Sequence, residues 1–274
     1  MRTILLSSFI TSLAGLSFAG SAHAGPFAPA AGQAGSTAIS KNDAGIVQWA
    51  TGWQDYAPNE TPGAVAATWR TPDKALGAAV GDSYDIVSLG NGGSITLTFG
   101  GYIHDGDGAD FAVFENSFSS AFLELAFVEV SSNGADFFRF PVYSFTPGPV
   151  GAFGAVDPTN IDGFAGKYQQ GWGTAFDLAL LAGNEGLDIN RVQYVRLVDV
   201  IGNGTEFDDF PAAYGGPNLI YDPYNTTGSQ GFDLDAVGVM HFTAAAAVPE
   251  PSQFAMFASA LALMPLLVRR RRAA

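Results

Sequence analysis

The densest chemistry-bearing stretch of the chain is His104-Asp105-Gly106-Asp107-Gly108-Ala109-Asp110, followed one short apolar run later by Glu115-Asn116. Carboxylates at this density are hard oxygen donors, the type that calcium takes six to eight at a time in irregular geometry. The spacing is not that of an EF-hand. Counted from Asp105, the fifth, sixth and twelfth positions are Ala109, Asp110 and Asn116, where that loop needs an oxygen ligand, a glycine and a glutamate. A calcium ion here would be held by the loops of a β domain. The same residues equally suit a plain turn, because Asp bonds its own backbone and Gly tolerates positive φ.

A second carboxylate pair, Asp233 and Asp235, lies two residues apart in the apolar run Phe232 to Phe242. On a strand these two share one face, while Phe232, Leu234 and Ala236 take the other. Like charges so close repel unless a cation, an arginine or backbone donors answer them. A metal site and a pairing with Arg139, Arg191 or Arg196 are both open, and Asp199 fits either. The candidate calcium ligands are therefore Asp105, Asp107, Asp110, Glu115, Asn116, Asp233 and Asp235.

Motifs for nucleophilic or zinc chemistry are missing. The chain has no cysteine, no G-x-S-x-G and no H-E-x-x-H; Gly90-Asn91-Gly92-Gly93 lacks the Lys-Ser/Thr of a phosphate loop; His104 and His241 do not have zinc-site spacing. Glycoside hydrolysis needs only two well-placed carboxylates and stays open as the enzymatic alternative to a non-catalytic domain. Among the aromatics, Trp49, Trp53 and Trp69 read as core. Tyr168 and Trp172, in a glycine-rich stretch, are the candidate faces for a sugar ring.

The elements that must position these residues are strands. Period-two or continuous apolar runs occur at Tyr84 to Leu89, Ser94 to Phe99, Asp110 to Phe114, Leu123 to Val130, Phe137 to Tyr143, Gln193 to Ile201 and Phe232 to Phe242. In Ser94 to Phe99 the alternation buries Ile95, Leu97 and Phe99 and leaves the hydroxyl residues half exposed. Asn133-Gly134 favours the positive φ of a turn, so the runs on either side of it pair antiparallel. The one short helical stretch, Phe176 to Ala182, ends at Gly183. Thr146 to Gly173 is a long Gly- and Pro-rich loop, either ordered or mobile. The expected fold is all-β, a single jelly-roll-like β-sandwich with long Gly/Pro-rich loops spanning residues 39–243. Linkers at 25–38 and 244–248 flank it.

The two ends are of another kind. Arg2 precedes an apolar run from Ile4 to Phe18, and Ala22-His23-Ala24 supplies a small-residue cleavage pattern, so residues 1–24 read as a signal peptide with a helical apolar segment. At the other end Pro249-Glu250-Pro251 is followed by fifteen largely apolar residues, Phe254 to Val268, and then Arg269, Arg270, Arg271 and Arg272. As a helix this run spans ~22 Å, shorter than the ~30 Å hydrocarbon core, which suits a temporary stop better than a permanent anchor. The arginines hold the body on the outer side of the inner membrane. Residues 249–274 resemble the tripartite sorting tail of PEP-CTERM proteins. That resemblance implies export by the Sec machinery and transient inner-membrane anchoring. It also implies recognition by an exosortase-type processing enzyme, and a mature form at the cell surface or secreted by a Gram-negative, exopolysaccharide-producing bacterium.

With the ends removed, seven basic residues face twenty-six acidic ones up to and including Glu250, a net charge of −19. Such a surface repels nucleic acid and acidic polysaccharide unless a cation mediates. Without cysteine, the exported body relies on its core or on bound metal for stability.

The body carries a resemblance of its own. Val87-Ser88-Leu89-Gly90 to Phe99, Asp110 to Asn116, Gly166-Lys167-Tyr168 and Gly231 to Val237 look like a domain common among PEP-CTERM proteins. The hairpin from Val128 to Phe137 is also similar to hairpins of galactose-binding-like jelly rolls. The expectation is a non-catalytic, calcium-supported surface or biofilm-matrix protein that binds polysaccharide. A secreted carbohydrate-active enzyme and an inert surface protein are the alternatives.

Overall fold

The structure, a computed structural model, describes residues 25–59 and 65–246. The expected signal segment and sorting tail, with Ala22, Ala24, Pro249, Glu250, Pro251 and the four arginines, lie outside the described residues. None of the described helices is long and apolar enough to cross a membrane.

Each of the seven apolar runs contains a described strand, and further strands lie outside those runs. In chain order they are β1 (Ile39–Ser40), β2 (Gln48–Trp49), β3 (Gly52–Ala57), β4 (Val87–Ser88), β5 (Ser94–Ile103), β6 (Phe111–Glu115), β7 (Ala126–Ser131) and β8 (Phe138–Arg139). There follow β9 (Tyr143–Ser144), β10 (Ile161–Asp162), β11 (Trp172–Phe176), β12 (Val192–Asp199), β13 (Asn203–Phe207), β14 (Leu219–Tyr221), β15 (Asp233–Val239) and β16 (Phe242–Ala244). Those outside the apolar runs include β1, β2, β3, β10, β11, β13 and β14. The helices are short 3-10 turns, among them Leu178–Leu181, which Asp177 caps and which ends ahead of Gly183 as expected, although Phe176 belongs to β11.

Two six-stranded antiparallel sheets carry the fold. The first runs β1-β11-β6-β15-β2 with β4 added to β15, and the second runs β16-β5-β12-β7-β8 with β3 added to β5. Their facing sides share one core: Phe111, Val113, Phe176, Leu234 and Val237 from the first sheet meet Ile95, Leu97, Phe99, Val128 and Leu197 from the second. Complete burial of an aliphatic or aromatic side chain is worth ~1.5–3 kcal/mol, so this shared face is the main source of stability. The hydroxyl face of β5 is more covered than the alternation implies, since Thr96 is buried beside β3. β5 serves two neighbours along one edge, β3 up to Thr98 and β16 from Gly101. The break between them is Gly100 at φ +70°, and a Cβ on Gly101 would overlap Thr243 O.

β7 is buried on both faces. Val128 and Val130 point into the main core, whereas Phe127 joins Val142, Ile161, Phe164 and Ile220 in a second cluster under the small ribbons β9–β10 and β13–β14. The β7–β8 hairpin forms with Glu129 opposite Arg139 and Gly134 at φ +77°. Its loop is longer than a two-residue turn, and Asn133 Oδ1 pins it by accepting from Ala135 N at 2.8 Å and Asp136 N at 2.9 Å.

One expectation changes, and one reading left open is decided. Residues 25–38 are a strap laid on the body rather than a linker. Gly25 N donates to Thr159 Oγ1 at 2.6 Å, Phe27 stacks on Phe145 at 5.7 Å, and Thr37 Oγ1 lies 2.8 Å from the Tyr168 hydroxyl. The stretch from Thr146 to Gly173 is ordered by a 3-10 turn at Pro158–Asn160, by β10 and by the start of β11.

Candidate cation site and acidic pocket

The loop from β5 to β6 places Asp105 and Asp110 at one end of the first sheet. Asp110 N donates to Phe176 O at 2.8 Å, so the pairing of β6 with β11 carries Asp177, the residue after β11, to the same spot. One oxygen from each of Asp105, Asp110 and Asp177 lies within 4.8 Å of the other two. Asp110 is fully buried. Its Oδ1 accepts from Gly106 N at 2.9 Å and sits 2.7 Å from His241 Nδ1, and its Oδ2 accepts from Leu178 N at 2.6 Å. Burial pushes the Asp110 carboxyl above the usual range, against the pull of those donors. Asp177 Oδ1 accepts from Ala179 N at 2.9 Å, which leaves its other oxygen for the site.

Asp105 Oδ1 is buried and has no hydrogen-bond partner. A buried, unpaired polar atom costs ~1–3 kcal/mol, more when charged. A divalent cation between the three carboxylates would offset their mutual repulsion and could take up that oxygen. Three hard oxygens, supplemented by water or main chain, suit calcium. His241 holds Asp110 from behind, as groups outside a metal's ligand set commonly do.

In millimolar calcium the unfolding midpoint is expected to exceed that in EDTA by several degrees. A site held only by the folded state adds ~2.7 kcal/mol at one hundred times its dissociation constant. Asp177→Asn keeps a good cap for the 3-10 turn and should abolish the difference. Identical melting with calcium and with EDTA in the unmodified protein would remove the cation from this site.

The remaining calcium candidates do not join this group. Asp107 is exposed at the loop tip. Glu115 and Asn116 sit at the opposite end of β6, and a five-residue strand rises ~17 Å. Asp233 and Asp235 are not two arms of one ligand set. β15 carries a bulge between Leu234 and Ala236, so Asp235 is the extra residue and Ala236 turns away from Leu234 to pack with Phe114 and Trp49. Asp235 binds loop backbone instead, accepting from Val80 N at 3.0 Å and Gly81 N at 2.8 Å. Asp233 accepts from Ser88 Oγ and from Asn116 Nδ2, the latter at 3.2 Å.

Nor do the arginines answer that pair. Arg139 and Arg196 both grip Glu129, with Nε at 3.0 and 2.6 Å, and Arg191 lies over the Tyr102 ring. Asp199 joins neither arrangement. Its oxygens accept from Gly92 N at 2.7 Å and Phe232 N at 2.6 Å, and the glycine run beside it is required by positive φ at Gly90 and Gly92 and by Leu89 O, which a Cβ on Gly93 would overlap.

A second acidic group gathers where β6 ends beside β15. Glu115, Glu124 and Asp233 are each at most 3 % exposed, so the low dielectric magnifies every charge among them. Burial first, and then the charge of Asp233, pushes the Glu115 and Glu124 carboxyls well above the usual range. Burial raises Asp233 to about 6 against its hydrogen bonds. Glu115 Oε2 accepts from Ser117 N at 2.7 Å, whereas its Oε1 has no partner. Glu124 Oε1 accepts from Thr226 Oγ1 at 2.9 Å.

Of the two proposed sugar platforms, Tyr168 is 2 % exposed and offers no face to a ligand. Trp172 is half-buried in β11, opposite Ser40 and not on a free loop. The residues that sequence reasoning missed are Asp177, Glu124 and the contact between His104 and His241, whose rings lie 5.8 Å apart. Only the capping position of Asp177, ahead of a short helical run, was a local signal. No family model matches the chain, and no curated protein is similar to it.

Proposed function

We propose that the protein is exported and sorted to the bacterial surface or extracellular matrix, where a jelly-roll-like, calcium-supported sandwich binds polysaccharide without cleaving it. The observation that carries this reading is the Asp105, Asp110 and Asp177 trio with its buried, unpartnered oxygen. A body of net charge −19 gains no direct attraction to an anionic polysaccharide. A calcium ion held by Asp105, Asp110 and Asp177 at one end of the first sheet supplies a bridge instead, keeping coordination positions for a sugar hydroxyl or carboxylate. The export half rests on the resemblance of the two chain ends to those of exosortase-sorted proteins.

A second reading, a carbohydrate-active enzyme, draws on one observation: Glu124 and Asp233 line the same pocket with carboxyls raised by burial. Protein recovered from the host envelope and assayed against matrix polysaccharide separates the possibilities. Its intact mass is expected to begin near Gly25 and to lack Phe254 to Ala274. It should retain polysaccharide in calcium, release it in EDTA and generate no new reducing ends. A mature chain still carrying the four arginines would overturn the sorting, calcium-independent retention or none would overturn the bridging role, and new reducing ends would favour the enzyme.

A further inference from the structure

The loops beyond β6 and before β15 enclose a cavity of about 160 Å³. Its floor includes Asn116, Glu124, Thr226 and Asp233, and its rim is a row of three phenylalanines. Phe118 stacks on Phe122 at 4.6 Å, and Phe122 on Phe153 at 5.9 Å. The inner ring is covered, but Phe118 and Phe153 are 63 % and 73 % exposed. Contiguous exposed apolar surface rimmed by polar groups is a feature of binding surfaces.

Charge selects the occupant. Glu124 and Asp233 line the cavity, Glu115 stands behind them with a fully buried oxygen lacking any partner, and none of the three makes an ion pair with lysine or arginine among the described residues. A calcium ion is the weaker fit. Only the Asp105 group brings three carboxylate oxygens within 4.8 Å of one another among the described residues, and a phenylalanine rim contributes nothing to a metal. An organic ammonium uses both halves of the pocket, its charge meeting the carboxylates and its body meeting the ring faces. The hydroxyl and amide groups of Thr226 and Asn116 suit ring hydroxyls, and a row of stacked rings suits successive flat sugar faces. The volume, below the ~300–1,000 Å³ of drug-sized sites, admits one small unit at a time.

We infer that this pocket binds a cationic amino sugar within a polysaccharide, its free ammonium against Glu124 and Asp233 and its ring against Phe118 and Phe153. The inference rests on the polysaccharide-binding reading above and replaces repulsion by attraction for one class of polymer. The test is calorimetric titration of the purified protein, in EDTA and at physiological salt, with fully de-N-acetylated glucosamine tetramer and with its N-acetylated counterpart. The free-amine oligomer is expected to bind at least tenfold more tightly. Phe153→Ala removes no charge and lies at the surface, so a folded variant that loses tenfold or more in affinity separates the pocket from general attraction to an acidic body. Glu124→Gln should lower affinity as much.

Equal binding of both oligomers, undiminished binding by Phe153→Ala, or equal affinity for a lysine peptide would overturn the assignment. If the free-amine oligomer fails while matrix polysaccharide is retained with calcium, this inference falls and the proposed function stands. If neither is bound, both fall.

Discussion

Acidification from pH 8 to pH 5, with EDTA present, is expected to raise the melting midpoint of this protein. Burial lifts Asp233 and Asp235 to about 6, and it pushes Glu115, Glu124, Asp199 and Asp222 well above the carboxylate range. Glu206 moves the same way, again mainly through burial, and the exposed Asp82 moves down through the N–H groups of Tyr84 and Asp85. For a carboxyl raised in the folded state, the native chain holds more protons than the unfolded one between the two pKa values. Stability is then fully present below the unfolded value near 4 and is lost as pH rises through 6 and beyond.

Asp233 and Asp235 alone correspond to roughly 3 kcal/mol each at pH 8, less where neighbouring charges couple. At ~2–4 °C per kcal/mol for a body of this size, the shift is of order 10 °C. The check is a series of thermal melts across this range. A midpoint highest at pH 7–8 and falling steadily towards pH 5 would show that these carboxylates are stabilised as anions, contrary to their burial.

Phe111→Ala is expected to cost ~3–5 kcal/mol, the usual loss for truncating a buried aromatic. Phe111 has no exposed surface, stacks on Phe176 at 5.3 Å and meets Phe140 edge-on at 5.9 Å. It begins β6 directly after Asp110, so the cavity left by the ring lies beside the anchor of the cation site. The same change at Phe153 should stay within about 0.5 kcal/mol, because its ring is mostly in water. Urea titrations with unchanged slope read both values. A loss below about 1.5 kcal/mol for Phe111→Ala would mean that the core closes around the gap.

That contrast is legible in the sequence only in part. Phe111 lies in an apolar strand run and Phe153 in a Gly/Pro-rich loop, so their neighbours separate them, but they do not say which second sheet covers Phe111. The alternation around Ser94 to Phe99 did assign Ile95, Leu97 and Phe99 to the core, because strand period and burial are coupled within a few residues. It failed for Ala236, where the bulge at Asp235 shifts the count by one. Tyr168 was misplaced for a related reason. A glycine-rich neighbourhood reads as an exposed loop, but this one is pressed beneath the N-terminal strap.

The acidity of the body shows where local and tertiary information divide. By itself the sequence determined that an all-β domain, almost without basic residues, would have to answer its carboxylates by some other means, because composition and short-range alternation are properties of the chain alone. Only the tertiary structure decided what those means are. Asp199, Asp222 and Asp235 are answered by loop N–H groups of Gly92, Leu125 and Gly81, while Asp105, Asp110 and Asp177 converge and leave one buried oxygen unanswered. Asp110 and Asp177 are 67 positions apart, and they meet because antiparallel pairing of β6 with β11 sets their register. That pairing is fixed by the packing of whole sheets, which no window of neighbouring residues contains.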